Sequence, residues 1–216
     1  AKAGAKAIVT QKGEIHGWIG GGCVKAAIKK VAAQVIQTGE PKLIRIKPAD
    51  EVEEPQDTDG VELHKSGCPS KGITDVFVEA VLPKPQLVII GTSPVAAALA
   101  EFGALAGYRI VRVLRSPEEA GLVKSGRIVE GFDFEWLDET GRNFIVIATQ
   151  GSGDLDALKS ALTTHAPYIS FVASRAKMEA LRQKLLEGGC SAEAIDRIKA
   201  PAGLDIGARG PEELAL

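Results

Sequence analysis

The chain has 216 residues, enough for one large domain or two small ones, and 45% hydrophobic against 25% charged residues is the balance of an ordinary soluble globular protein. Lys and Arg number 26 against 28 Asp and Glu, a net charge of −2 with no basic arm or stripe, so the electrostatic footprint of a nucleic-acid binder is missing. No apolar run approaches the ~20 residues that cross a bilayer, and three cysteines in a chain too long to need disulfide staples point to a reducing, cytoplasmic setting.

In chain order, "AKAIVTQKGEIHGWIG" predicts two short strands, Ala7 to Thr10 and Glu14 to Ile19, around a turn at Lys12 and Gly13. Nothing before it resembles a signal peptide. Then "WIGGGCVKAA" sets Gly20, Gly21 and Gly22 against Cys23 and opens a helix. Three glycines mark a chain that bends tightly or lies close to something. A helix starting there points its free N–H groups at the turn, which suits an anion and favours a thiolate. A plain strand-to-helix turn with a small buried Cys is the competing reading. Val24, Ala27, Ile28, Val31, Val35 and Ile36 recur at helical spacing up to Thr38, and Gly39 stops the helix. "PKLIRIKP" is a strand, "ADEVEEPQDTDGVEL" an acidic, solvated surface loop, "SGCPSKG" a turn holding Cys68, and "ITDVFVEAVL" a strand.

Pro83 and Pro85 punctuate the chain, and the pattern changes after them. "QLVIIG" is a buried strand, Val95 to Ala106 an alanine-rich helix, and "YRIVRVL" a strand. "NFIVIATQ" is another strand, followed by a helix at Leu155 to Thr164, then strand "YISFVAS" and a helix at Ala176 to Glu187. Strand and helix alternating over short connections is the signature of right-handed βαβ units. The expected architecture is α/β: a small α+β domain over 1–82 and a Rossmann-like, doubly wound parallel sheet over 83–216. The closing "PEELAL" reads as the first turns of a longer helix, so both ends are expected to be cut from a longer protein.

The turn after the first buried strand runs Gly91, Thr92, Ser93, Pro94, Val95, Ala96. A dinucleotide fingerprint asks for G-x-G-x-x-G/A and an acid after the second strand. Here Ser93 replaces the middle glycine, and the second strand ends at Leu114 and Arg115 without the acid. NAD(P) is therefore not expected. Thr92 and Ser93 remain candidates to hold a phosphate at the helix start, and Arg115 to pair with one; a capped helix and a surface arginine explain them as well. Gly151 and Gly153 in "ATQGSGDLDAL" open a loop at the carboxyl end of its strand, where Asp154 or Asp156 caps the next helix. Ser174, Arg175 and Lys177 in "VASRAK" form a candidate anion clamp or a capping serine with exposed cations. These loops are expected to meet at one sheet edge. Asp205 in "APAGLDIGARGPEEL" contacts a ligand or caps a turn, with the turn favoured. Cys23 and Cys68 with His16 and His64 invite zinc, without the paired spacing that zinc sites show. Cys190 follows two glycines at a helix end and carries no expected role.

Taken together, "GAKAIVTQKGEIHGWIGGGCV", "SGCPSKGITDVFVEAVLPKPQLVIIG", "APYISFVASRAK" and "APAGLDIGARGPEEL" resemble the XdhC/CoxI-type maturation factors of molybdenum hydroxylases, nearly end to end. The resemblance implies a small N-terminal domain before a Rossmann-like one. It implies a binding module more than an enzyme: a chaperone for molybdopterin-type molybdenum cofactor, or its dinucleotide form, that assists sulfuration and insertion into a xanthine or carbon monoxide dehydrogenase. Implied partners are that hydroxylase, a cysteine desulfurase and a second copy of the chain. Carried over by position, Gly20, Gly21, Gly22 and Cys23 match the family's glycine-glycine-cysteine turn and Cys68 its second cysteine, contacts to the molybdenum or its sulfur. Two departures stand out: Lys25 where many members carry Glu, and G-T-S-P-V-A where many carry G-A-G-H-V-A. An NAD(P)-dependent oxidoreductase and a nucleotide-binding regulator are the alternatives.

Overall fold

The computed structural model describes residues 2–67, 72–137 and 142–216. The chain divides into two compact units, Ala1–Leu82 and Pro83–Leu216.

In the first unit β1 (Ala7–Val9) and β2 (Ile15–Gly17) form an antiparallel hairpin with Ile8 opposite His16. Helix α1 (Gly22–Thr38) follows and ends at Gly39, whose φ of 74° lets its N–H reach back to the Val35 carbonyl. Strands β3 (Lys42–Pro48), β4 (Glu62–Ser66) and β5 (Thr74–Val78) make a mixed sheet in the order β4-β3-β5, with β4 parallel and β5 antiparallel to β3. The apolar stripe of α1, led by Ile28, Val31 and Val35, is buried against Ile44, Ile46 and Val76 of the sheet. Each such side chain taken from water contributes about 1.5–3 kcal/mol before entropy is charged.

The acidic segment is mostly exposed, as its composition suggests, but it is not without structure. A 3-10 turn spans Ala49–Glu51, and β4 starts at Glu62 inside the expected loop. Asp57 accepts Arg45 at 2.8 Å and Lys47 at 3.1 Å, while Arg45 also grips Asp75 through two nitrogens at 2.7 and 2.8 Å. The hydrogen bond from Arg45, aided by Lys47, holds Asp57 far below the usual carboxylate range. Acidic composition hid the start of β4, whose Glu62 accepts Lys42 of β3 at 3.1 Å, while Asp57, held by Arg45 and Lys47, lies in the loop before it.

The second unit is a six-stranded, wholly parallel sheet: β6 (Gln86–Ile90), β7 (Arg109–Leu114), β8 (Arg127–Glu130), β9 (Asn143–Ile147), β10 (Tyr168–Phe171) and β11 (Ile198–Lys199). Its order, β11-β10-β9-β6-β7-β8, is the doubly wound Rossmann order, with the chain reversing direction across the sheet between β6 and β9. All five residues of β6 are buried, as an apolar central strand covered on both faces must be. Helix α2 (Pro94–Leu105) lays Ala96 and Ala100 on one face, over Leu87, Ile89 and Ile110. Helices α3 (Asp154–Leu162) and α4 (Arg175–Glu187) cover the other, with Ala157, Leu158, Ala161 and Leu185 over Val88, Ile90, Val111 and Ile145. Two short helices, α5 (Ala192–Asp196) and α6 (Pro211–Ala215), complete the unit, the latter placing Ala215 against Val95 and Ala98 of α2.

Strands β8 and β11 escape the sequence pattern because edge strands are short and mixed in polarity; β8 is the four residues Arg-Ile-Val-Glu, mostly exposed. Between β7 and β8 stands only a 3-10 segment, Pro117–Leu122.

Candidate functional site

Two glycine-built helix starts, one in each unit, carry the candidate residues. In the first unit Gly20 is buried at φ 132°, and a Cβ there would stand 3.1 Å from the Val24 side chain. Its glycine is explained by the turn itself. Gly21 is the N-cap of α1, Gly22 its first residue and Cys23 its second, so the helix starts inside the glycine run rather than after it. A Cβ at Gly21 or Gly22 would meet nothing within 4 Å, and both residues and Cys23 are exposed. No side chain caps this end, and the first turn holds no acid. Cys23 is a free thiol at the surface, not the buried core residue of the competing reading. Cys68 lies outside the described residues. Among the described residues no group of three His, Cys, Asp or Glu side chains is placed to hold a metal ion; His64 bonds Glu62 at 2.9 Å and His16 stands 3.9 Å from Glu14.

In the second unit three loops converge at the carboxyl ends of β6, β9 and β10. Gly91, at φ 107°, packs so tightly under the loop after β9 that a Cβ would stand 2.7 Å from the Ala148 carbonyl oxygen and 2.9 Å from Thr149 Cα. Thr92 is half-buried. Ser93 is buried, and its hydroxyl accepts the Ala96 N–H at 3.1 Å as the N-cap of α2. In the loop after β9, Gly151 and Gly153 have φ values of 102° and 81°, and Gly153 is the N-cap of α3. Asp154 therefore does not cap its helix. It turns back into the loop, where the Thr149 hydroxyl and the Gly151 N–H (3.0 Å) donate to it, and Lys177 Nζ stands 2.5 Å from its other oxygen. Burial pushes this carboxyl up, but Lys177, Thr149 and Gly151 together outweigh burial and hold it below its ordinary range.

That pair revises the expected anion clamp. The Ser174 hydroxyl accepts the Lys177 N–H at 3.3 Å and caps α4, and the Lys177 ammonium is neutralised by Asp154. Of the three, only the exposed Arg175 keeps an unpaired charge among the described residues. Arg115, exposed after β7, reaches the loop after β9, donating from Nη1 to the Ser152 hydroxyl at 3.2 Å. Asp205 is exposed and accepts the Gly207 N–H at 3.3 Å, the turn reading of that residue.

One functional candidate gave little sign of itself in the sequence. Arg112, inside the β7 run "YRIVRVL", is 2% exposed, and its Nη2 donates to the Gly91 carbonyl at 2.7 Å. A charged residue in a strand buried on both faces was the available signal.

Comparison with known proteins adds kinship to this geometry. Residues 87–216 match the family model described as the XdhC Rossmann domain, and residues 1–47 that of the XdhC and CoxI family. The uncharacterized protein YqeB of Escherichia coli (strain K12) is 31% identical over 98% of this chain and 38% of its own length. A Bacillus subtilis (strain 168) protein named as a probable xanthine dehydrogenase component is 27% identical over 66% of this chain and 43% of its own. The chain thus spans less than half the length of these curated relatives. A crystal structure described as that of a xanthine dehydrogenase from Bacillus halodurans shares the fold at TM-score 0.50 and 19% identity, over all of this chain and 84% of that one.

Proposed function

Because the chain belongs to the XdhC and CoxI family, we propose that it is an accessory factor for a xanthine dehydrogenase type of molybdenum hydroxylase, with the α1 turn as the place where molybdopterin-type cofactor is held as cargo. The carrying observation is the pair of open glycines beside an exposed thiol at an uncapped helix start. A bulky cofactor needs backbone it can approach, and Gly21 and Gly22 leave that space where any other residue would put a Cβ. Molybdenum and its sulfur are soft and favour a thiolate over a carboxylate, so Cys23 is the contact of choice. The free N–H groups of the first turn of α1 suit the anionic character of such a cargo. The protein's part is to bind, shield and release; the cofactor supplies its redox chemistry to the hydroxylase after transfer.

The relation to a xanthine dehydrogenase draws support from the name of the Bacillus subtilis relative. Sulfuration, a cysteine desulfurase, carbon monoxide dehydrogenase as recipient and a homodimer belong to the same proposal as steps and partners still to be assayed. NAD(P) is the weaker candidate ligand. A buried side chain, Ser93, occupies the position where a dinucleotide fold keeps a glycine for close approach of pyrophosphate. Arg115, at the end of β7, stands where an acid would hold the ribose diol.

The test is retention. The chain is loaded with molybdopterin cofactor, desalted, and assayed for molybdenum and for pterin fluorescence beside Cys23→Ala and Cys190→Ala. Loss on Cys23→Ala with retention on Cys190→Ala supports the reading. Equal retention by all three, or none by the wild type, removes Cys23 from any cofactor site.

A further inference from the structure

The chain has two tryptophans, and they are used differently. In the second unit the Trp136 Nε1–H donates to the Asp133 carbonyl at 2.8 Å. Its ring lies 5.9 Å from that of Phe134, and the Arg127 guanidinium stands 5.4 Å over it. In the first unit Trp18 is 58% exposed and makes no hydrogen bond or ring contact among the described residues. An indole serves a fold by leaving water and pairing its N–H with a protein group. Most of Trp18 stays in water, and its N–H meets no described acceptor.

Its orientation follows from the hairpin. Val9 and Ile19 are half-buried against the core under α1, so one face of the hairpin is turned inward. Ile8 and His16 stand opposite each other and are exposed, which marks the outer face. Trp18 comes two residues after His16, beside the inward Ile19, and its exposure places it on that outer face. A sheet with one side on a core ordinarily shows its polar residues to water. Here Ile8, 71% exposed, and Trp18 leave an apolar strip in water instead. The strip runs into the α1 turn, since Gly20, Gly21, Gly22 and Cys23 follow Trp18 after one residue. From Trp18 to Cys23 the backbone spans at most about 18 Å when fully extended, and the helical start at Gly22 shortens that reach. The indole and the thiol therefore border the same open turn.

Granting the α1 turn as a cofactor site, we propose that Trp18 is its ring-binding residue: the indole face stacks on the planar pterin of the cargo while Cys23 meets the metal end. A flat heterocycle gains most from a flat aromatic face that no other side chain occupies, and such stacking tolerates any hydrogen-bond pattern on the ring. A thiol alone recognises any soft metal. An indole beside it selects a metal carried on a ring system. A strip of two apolar side chains falls far short of the about 800 Å² that a stable protein interface takes from each partner, so a ring is the occupant it fits.

Unsubstituted pterin has the ring without molybdenum, dithiolene sulfur or phosphate. It is titrated into the full chain and followed by its fluorescence anisotropy, with a melting temperature recorded for every variant. Trp18→Ala is expected to bind it about 10-fold more weakly. Trp18→Phe, which keeps a flat ring, is expected to stay within about threefold of wild type. Cys23→Ala is expected to match wild type, because the bare ring offers a thiol nothing to coordinate. In a Trp136→Phe background, where Trp18 is the sole tryptophan, pterin is expected to quench the indole emission saturably. Equal affinity in wild type and Trp18→Ala, or no binding by wild type, overturns the proposal. Should Trp18→Ala melt early, the quenching decides in its place, and unquenched emission overturns the proposal as well. Loaded cofactor then separates the two contacts. Loss on Trp18→Ala with retention on Cys23→Ala leaves the ring contact standing without the thiol, and the opposite pattern leaves the thiol without the ring.

Discussion

Both units start a helix from glycine, yet the glycines answer different demands. At the α1 turn Gly21 and Gly22 have empty space where a side chain would stand, and nothing caps the helix. At the α2 turn Gly91 is filled in by the protein itself, with the Ala148 carbonyl and Thr149 pressed against it, and Ser93 closes the cap. The first turn is open to a visitor along its backbone; the second is locked by the protein's own packing. A glycine serves a ligand only where its Cβ space is vacant.

The sharpest way to break this contrast is substitution at the two turns. Gly91→Ala is expected to cost about 3 kcal/mol, since it combines a positive φ with contact against fixed backbone; urea unfolding measures it, and a loss under 1 kcal/mol would dissolve the contrast. Cys23→Ala is expected to lower cofactor retention by at least about 10-fold with little change in melting temperature, because the thiol is exposed. An early-melting protein that retains cofactor would return Cys23 to a packing role. Gly22→Ala, in open space at the first helical position, is expected to raise stability by up to about 1 kcal/mol while reducing retention. That opposite movement of two readouts is hard to obtain from a purely structural turn.

Acid gives the mildest test. The Asp154 pKa is lowered in the folded protein, so its contribution is full above its unfolded value of about 4 and is lost as pH falls through the folded value. Asp57 and Asp75 have the same sign in the first unit, through Arg45. Stability measured from pH 7 to pH 3 is therefore expected to hold to about pH 4 and then fall. Asp154→Asn should flatten only the part owed to the loop after β9, and an unchanged curve would deny that loop its ion pair.

Much of this was legible in the residues. The buried run of β6, the alanines of α2 and the strand-helix alternation after Pro85 announced the Rossmann-like sheet, since long apolar elements leave strong periodic signals. Strand β4 was not legible, because Glu62, His64 and Lys65 look like surface until the partners on β3 are known. The candidate loops were found by their glycines, but their partners were not. That Lys177 belongs to Asp154, and that Gly91 faces Ala148, depends on loops from three strands arriving at one edge. Arg112 was missed for a related reason: one cation in a strand acquires meaning only when its counter-charge is found absent.

The strand order has a last consequence, for how the second unit assembles. β6, β7 and β8 are neighbours in sequence and in space, as are β9, β10 and β11, so each half can gather through short crossovers. The halves join along a single seam, where Gln86 meets Asn143 and Ile90 meets Ile147 across a long stretch of intervening chain. Gly91 and Thr149 stand at the end of that seam. The turn at Gly91 and the loop after β9 thus meet only in a chain whose two halves have already zipped together, so the packing of Gly91 against Ala148 and Thr149 is a contact that finished molecules have and half-folded ones lack.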